Sequence, residues 1–212
     1  MRKRKFELPN MYVELADGTL DWYIGLHFEE DICESYDVEN LLREGGVFRG
    51  NCPYFIHYPD GTVYKPLEQK ENVYYETPVW DRDRFGILSV DFGQKQIILY
   101  TYVPGGKPEI LHSLPLDQVK DCYNLKLEMS PWTLGRQTEG VYEMIWPLKK
   151  ELPISENESL ICRDGDVLYF SRWIEEPYYQ EYVVTVDIAT GKELCVEKGS
   201  LYLMPDGSVW NI

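Results

Sequence analysis

Short runs in which apolar and polar residues alternate, broken by Asp-Gly, Pro or Gly, recur from Tyr12 to Trp210. A period of two puts successive side chains on opposite faces of a pleated strand, so this pattern predicts strands rather than helices. The clearest unit is Pro205-Asp206-Gly207-Ser208-Val209-Trp210, which repeats Pro59-Asp60-Gly61-Thr62-Val63-Tyr64 position by position. In each, an Asp-Gly pair that tolerates positive φ leads into a return strand opening on a β-branched residue and an aromatic. Looser copies surround Asp17-Gly18 and Asp164-Gly165.

The same reading places strands at residues 85–92 and 96–103, joined across Gly93-Gln94-Lys95. It continues that sheet through 107–114 after the Pro104-Gly105-Gly106 turn, and adds strands at 124–129, 141–146, 160–172 and a hairpin over 182–194. Two stretches carry helical spacing. Residues 38–44 suit about two turns, with Asp37 as N-cap and Gly45-Gly46 as the stop, and residues 116–123 suit another turn or two. The fold class expected is mostly β, with antiparallel sheets built from Asp-Gly hairpins and one or two short helices.

The Asp-Gly aspartates stand at 17, 60, 164 and 206, at intervals of 43, 104 and 42 residues, with Pro104-Gly105-Gly106 near the middle of the long one. A recurrence of roughly 40 to 50 residues suits a propeller blade. Val186-Asp187-Ile188-Ala189-Thr190-Gly191-Lys192-Glu193-Leu194 resembles the turn between outer strands in many β-propeller repeats, including the quinoprotein type, and residues 90–97 echo it. The resemblance implies a small propeller of four or five blades; a sandwich, barrel or open meander is the alternative. In a closed ring, residues 201–204 are expected to complete the sheet begun at Tyr12, which would remove two exposed edges.

Composition sharpens this picture. At 14% aromatic, with 17 Tyr and 6 Trp, the chain favours half-buried pleated surfaces. With 36 acidic against 21 basic residues, its net charge of −15 excludes nucleic acid as the expected partner and points to a basic protein instead. The basic run Arg2-Lys3-Arg4-Lys5 marks residues 1–10 as a flexible tail before a single β-rich domain over 11–212. No apolar segment follows that run, and none reaches membrane-spanning length, so neither a signal peptide nor a membrane partner is expected. The five cysteines are widely spaced, odd in number and without Cys-x-x-Cys, which fits reduced thiols in the cytoplasm.

The sequence offers no catalytic set. His27, His57 and His112 lack the spacing of a metal site and converge only if the fold brings them together. Cys52 with His57 has no orienting motif, and the nucleophile-elbow, P-loop and dinucleotide fingerprints are missing. Asp81-Arg82-Asp83-Arg84 begins like a calcium loop, but Phe85 and Phe92 stand where ligands belong, so surface ion pairs are expected. Adjacent acids such as Glu29-Glu30 or Glu175-Glu176 point to opposite faces of a strand and do not form a glycosidase pair. No enzyme activity, cofactor or metal is therefore expected.

Aromatic and acidic recognition remain. Trp22, Tyr64, Tyr169 and Trp210 follow the turns at comparable positions and are expected as repeated core, whereas Trp80, Trp132, Tyr178 and Tyr179 lie in irregular stretches and are expected to face solvent. The candidate binding set is Glu29, Glu30, Asp31, Trp80, Asp81, Asp83 and Trp132, in segments 29–44, 74–84 and 130–139 that break the strand pattern, together with Tyr178 and Tyr179 after Pro177. The function expected is a non-enzymatic binding protein whose β-scaffold presents an acidic surface and loops to a protein partner. One version is immunity-like or antitoxin-like, blocking a basic partner by charge complementarity. The alternative is a carbohydrate-binding or carbohydrate-processing β-protein.

Overall fold

The computed structural model describes residues 3–9, 11–27, 32–129, 131–206 and 208–212. The first sheet contains β1 (Tyr12–Leu15), β2 (Trp22–Leu26), β3 (Pro53–His57) and β4 (Val63–Tyr64), paired in that order, with helix α1 (Ser35–Arg43) inserted between β2 and β3. The second contains β5 (Val73–Tyr75), β6 (Val79–Asp81), β7 (Arg84–Asp91), β8 (Gln96–Tyr102) and β9 (Glu109–Pro115). The third runs β10 (Leu125–Glu128), β11 (Thr133–Thr138), β12 (Val141–Trp146) and β13 (Lys150–Pro153). The fourth runs β14 (Glu158–Asp164), β15 (Val167–Ile174), β16 (Gln180–Asp187) and β17 (Glu193–Lys198). A hairpin of β18 (Leu201–Leu203) and β19 (Val209–Asn211) ends the chain. The four larger sheets stand in a ring as a four-bladed, propeller-like arrangement, as the turn resemblance implied.

Blade 2 follows the four-strand plan once its pairing is read closely. Val73 to Tyr75 pair with Asp91 to Ser89 of β7, and Val79 to Asp81 pair with Gly86 to Arg84, so β5 and β6 share one edge of β7. The registers differ by one residue. β5 and β6 are therefore a single inner strand interrupted by a bulge at Glu76-Thr77-Pro78, where proline has no N–H to give the ladder.

The hydrophobic cores lie between blades. Ile24, Leu26 and Phe55 of blade 1 pack with Phe85, Ile87 and Tyr102 of blade 2. Leu88, Val90, Ile97 and Leu99 of blade 2 then meet Leu125, Leu127 and Leu134 of blade 3. Tyr142, Met144 and Leu152 of blade 3 meet Leu168, Phe170, Val184 and Val186 of blade 4. Along β7 the burial is nearly continuous because Phe85 and Ile87 serve one neighbouring blade while Leu88 and Val90 serve the other. Gly86 faces blade 3, where a Cβ would stand 2.7 Å from Trp132 Cε2; glycine makes room for that ring. A fourth cluster seats α1 on blade 2 through Val38, Phe48 and Tyr74.

Among the described residues no such core joins blade 4 to blade 1. The terminal hairpin bridges that seam instead. Leu203 packs on Gly18 of blade 1, and Leu201, Leu203 and Val209 share a cleft with Cys162 and Tyr169 of blade 4. The expectation that residues 201–204 complete the sheet of Tyr12 is corrected: β18 pairs with β19, and β1 keeps its exposed side chains. Asp206 Oδ1 accepts the Ser208 N–H at 2.9 Å and the Ser208 hydroxyl at 2.6 Å, a tight turn that makes the local partner cheaper in loop entropy than a strand 190 residues away. Residues 3–9 lie against blade 1, where Arg4 Nη1 donates to Pro59 O at 3.1 Å.

The Asp-Gly copies occupy unequal places. Asp17 and Asp164 turn the first two strands of their blades, Asp60 turns the last two of blade 1, and Asp206 turns the terminal hairpin. The interval from 17 to 60 thus lies inside one blade, lengthened by α1. What the copies share is turn chemistry, since Asp60 Oδ1 accepts the Thr62 N–H at 2.9 Å just as Asp206 accepts that of Ser208. The segment at 186–194 does join the third and fourth strands of blade 4, with Asp187 Oδ1 accepting the Thr190 N–H at 2.7 Å. In α1 the N-cap is Glu34 rather than Asp37. Asp37 sits one turn in, where its carboxylate accepts the N–H groups of Cys33 and Glu34 at 2.8 and 3.1 Å, and Gly45 at φ +84° follows the helix end. Residues 116–118 form one 3-10 turn, and segment 130–139 contains strand β11 rather than breaking the pattern. Among the described residues no helix is long and apolar enough to cross a membrane.

Candidate binding site

Three of the innermost strands and the terminal hairpin surround a cavity of about 330 Å³ near the ring axis. Blade 1 contributes Glu14, Leu15 and Asp17, blade 2 contributes Glu76, Thr77 and Trp80, blade 3 contributes Lys126, Glu128 and Met129, and the hairpin contributes Leu203. The local sequence explains these positions. In β10, Leu125 and Leu127 alternate into the core against blade 2, so Lys126 and Glu128 take the opposite face. In blade 2 the bulge interrupts strand alternation at Glu76 and brings that carboxylate to the cavity wall.

The wall carries four carboxylates and one ammonium. Burial pushes the Glu76 carboxyl up to about 7; the Ser35 N–H and hydroxyl, donating to Oε1 at 3.3 and 2.9 Å, oppose the rise, and Glu34 adds to it. Burial likewise pushes Glu128 up to about 7, opposed only by Lys126. Lys126 pulls on both carboxylates yet forms no ion pair with either among the described residues. Desolvation outweighs attraction here, as it does for charges held near but not against an opposite charge.

Tyr142 stands behind this wall. It lies on β12, and its hydroxyl fills the space that a Cβ on Gly135 would take. Gly135 pairs with Lys126 across β10 and β11, and Glu128 is the next residue on that face, while the Tyr142 ring itself packs against Phe170 of blade 4. Burial raises the Tyr142 pKa far above its ordinary value, and the Glu128 charge adds to the rise.

This arrangement can hold a cation, and among the described residues no three His, Cys, Asp or Glu gather as metal ligands. The three histidines stand apart. His57 Nδ1 lies 3.0 Å from Asp60 with its ring 4.6 Å from Trp22, His112 stacks on Trp146, and His27 lines a different cavity beside Cys52. All five cysteines are unpaired.

Of the residues singled out in the sequence, Glu29, Glu30 and Asp31 lie outside the described residues. Trp80 reaches the cavity, but as part of a half-buried cluster with Trp22 and Phe85, at centroid distances of 6.3 and 4.7 Å, rather than as a solvent-facing ring. Trp132 is packed between blades 2 and 3 over Gly86, because its neighbours Thr133 and Leu134 are core residues of β11 that draw it inward. Asp81 and Asp83 pair with Arg82 and Arg84 at 3.8 and 2.9 Å in the turn between β6 and β7, as the charge alternation predicted. Tyr178 and Tyr179 are exposed, at 78% and 64%, in the loop between β15 and β16, far in sequence from the cavity residues. Glu76, Lys126, Glu128 and Tyr142 were not singled out. Their signal was the Leu-Lys-Leu-Glu alternation and the proline just after Glu76-Thr77, both ordinary in any strand.

Comparisons with known proteins supply no identity. No family model matches the chain, and no curated protein matches it. Among solved structures it is similar to the dipeptidyl peptidase 4 of Porphyromonas gingivalis, at 10% identity and a TM-score of 0.44, over 90% of this chain and 32% of that one. The chain thus spans about a third of the length of that structure.

Proposed function

We propose that this protein is a non-enzymatic binding protein, a propeller-like scaffold that offers an acidic axial site and exposed loops to a basic protein partner. The observation that carries the reading is the cavity wall, where four carboxylates face one lysine in a chain of net charge −15. Such a field steers cationic partners and repels anionic ones. Tyr178 and Tyr179 add rigid, exposed aromatic area of the kind that anchors interfaces. The unpaired cysteines support action in the cytoplasm, and an immunity-like or antitoxin-like role, in which the acidic site blocks a basic partner, is the specific form proposed. A sugar platform on Trp80 and Trp132 draws no support from rings packed between blades.

The test is biolayer interferometry of the immobilised protein against lysine- and arginine-rich peptides, with acidic peptides as controls. Basic peptides should bind with an association rate that falls at least tenfold between 0.05 and 0.3 M salt, as expected of electrostatic steering at roughly these ionic strengths. Glu14→Lys with Asp17→Lys should weaken binding about tenfold, roughly 1.4 kcal/mol. Equal binding of acidic and basic peptides would count against the proposal.

A further inference from the structure

We propose that the outward face of blade 1 is a docking groove for an extended segment of a protein partner, carrying a basic, an aromatic and an aliphatic residue at alternate positions. Residues 3–9 of this chain occupy the groove until such a segment displaces them. The assignment rests on the binding role proposed above in taking a basic protein as the source of the segment. Val13, Tyr23 and Ile56 share the face of blade 1 opposite to Ile24 and Phe55, which pack on blade 2. On that side no core of a neighbouring blade covers blade 1 among the described residues.

The tail is seated there as a peptide ligand is seated. Arg4, Phe6 and Leu8 line the groove with Val13, Tyr23 and Ile56, whereas Lys5 and Glu7 between them do not. An extended chain turns alternate side chains to one surface, so this spacing of two marks a strand-like segment in a groove. Arg4 Nη1 donates to Pro59 O at 3.1 Å, and Phe6 lies by Gly61. A Cβ on Gly61 would stand 2.9 Å from Arg4 Cδ and 3.1 Å from Phe6 Cε1, so the glycine leaves the space that both side chains use. Charge matches as well. The tail sets Lys3, Arg4 and Lys5 against Glu7, while residues 11–27 and 53–64, which form the blade's sheet, hold Glu14, Asp17, Asp21 and Asp60 and no Lys or Arg.

The fit is loose. Arg4 makes the tail's one hydrogen bond among the described residues, and the tail joins no strand ladder. Phe6 stays 38% exposed, and a cavity of about 730 Å³ remains between tail and blade. Contacts that serve stability alone are packed without such space. A segment that fills the cavity gains apolar burial that the tail forgoes, and this difference lets it displace the tail. A basic partner is the source favoured over a second copy of this chain, because two chains of net charge −15 repel each other.

Fluorescence anisotropy and NMR of the full chain test this with a labelled peptide of the sequence Arg2 to Pro9. Arg4→Ser with Phe6→Ser releases the tail and leaves the blade untouched. The released protein should bind the peptide saturably and at least tenfold tighter than the wild type, whose tethered tail competes at high effective concentration. Val13→Lys in the released protein, or Phe6→Ser in the peptide, should each weaken binding at least fivefold. The amides of Val13, Tyr23, Ile56 and Gly61 should shift on release and move back toward their wild-type positions when the peptide is added. Equal binding by wild-type and released proteins, or equal binding of a scrambled peptide, would overturn the inference. A wild-type dimer that the peptide dissociates would overturn the partner as occupant and assign the groove to the tail of a second copy. If basic peptides bind through Glu14 and Asp17 while the released protein ignores the tail peptide, the groove fails and the binding role stands. Tail-peptide binding with no basic protein bound by either form keeps the groove for the tail and overturns the partner.

Discussion

Replacing Arg136 with alanine is expected to cost about 3–5 kcal/mol of stability, a large share of the roughly 5–15 kcal/mol that holds a domain folded. Arg136 is 1% exposed on β11, and its Nη1 donates to Asp121 O at 2.7 Å and to Asp121 Oδ1 at 2.5 Å. Its Nε lies 3.2 Å from Glu143 Oε2, an ion pair whose angle does not make a hydrogen bond. One guanidinium thereby fastens the segment between blades 2 and 3 to two strands of blade 3. The same segment is held from the other side by Glu39 of α1, whose Oε2 accepts the Cys122 N–H at 2.8 Å. Truncation leaves two carboxylates facing each other across a void, and both the cavity and the lost pairing add to the cost. Urea denaturation measures it. Arg136→Lys, which keeps the charge without the fork, should lose roughly half as much. A loss below about 1 kcal/mol for the alanine variant would show that the segment is held by its apolar contacts alone.

The second large effect concerns pH. Glu76 and Glu128 are raised by burial from 4.5 to about 7. Between those two values the folded state holds more protons than the unfolded one, so stability falls as pH rises and reaches its lower plateau above about 7. The wild-type protein should therefore be less stable at pH 8.5 than at pH 5.5, on the order of 2–3 kcal/mol for each carboxylate. Glu34, raised by burial and by Asp37, acts in the same sense. Asp60, Asp83, Asp187 and Asp206 are lowered by hydrogen bonds, and their stabilising effect is lost only in acid below this window. Glu76→Gln with Glu128→Gln should flatten the profile and raise the denaturation midpoint more at pH 8.5 than at pH 5.5. A wild-type midpoint that rises across the window would mean that both carboxylates are already ionised and paired. A wall that costs stability when charged is what a cation-binding site, filled only on binding, is expected to show.

The parts of the fold most legible in the sequence were those set by local chemistry. The alternation at 85–92 and 96–103 gave β7 and β8, residues 141–146 gave β12, and the Asp187 turn gave the outer hairpin of blade 4. The repeat interval misled where an insertion imitated it. The stretch from Asp17 to Asp60 has nearly the length of the step from Asp164 to Asp206 only because α1 lengthens blade 1. The cavity was illegible for a different reason. Lys126 and Glu128 follow the rule that core leucines force their neighbours to the other face, but whether that face meets solvent or the ring axis depends on blade closure. Tyr142 reads as a core aromatic, and its unmatched hydroxyl is visible only beside Gly135 and Glu128. Trp80 and Trp132 were expected outside because their segments contain proline. Those prolines instead mark the bulge of blade 2 and the turn before β11, both of which lead inward.

A backbone NMR titration of the isotopically labelled protein with a lysine-rich peptide tests the binding site most directly. The account predicts that the largest shifts cluster at Asp17, Glu76, Thr77, the Trp80 indole N–H and Lys126 to Met129, and that they diminish in the Glu128→Gln protein. Shifts confined to the exposed faces of β1, β17 or the terminal hairpin, with the axial residues unmoved, would contradict it.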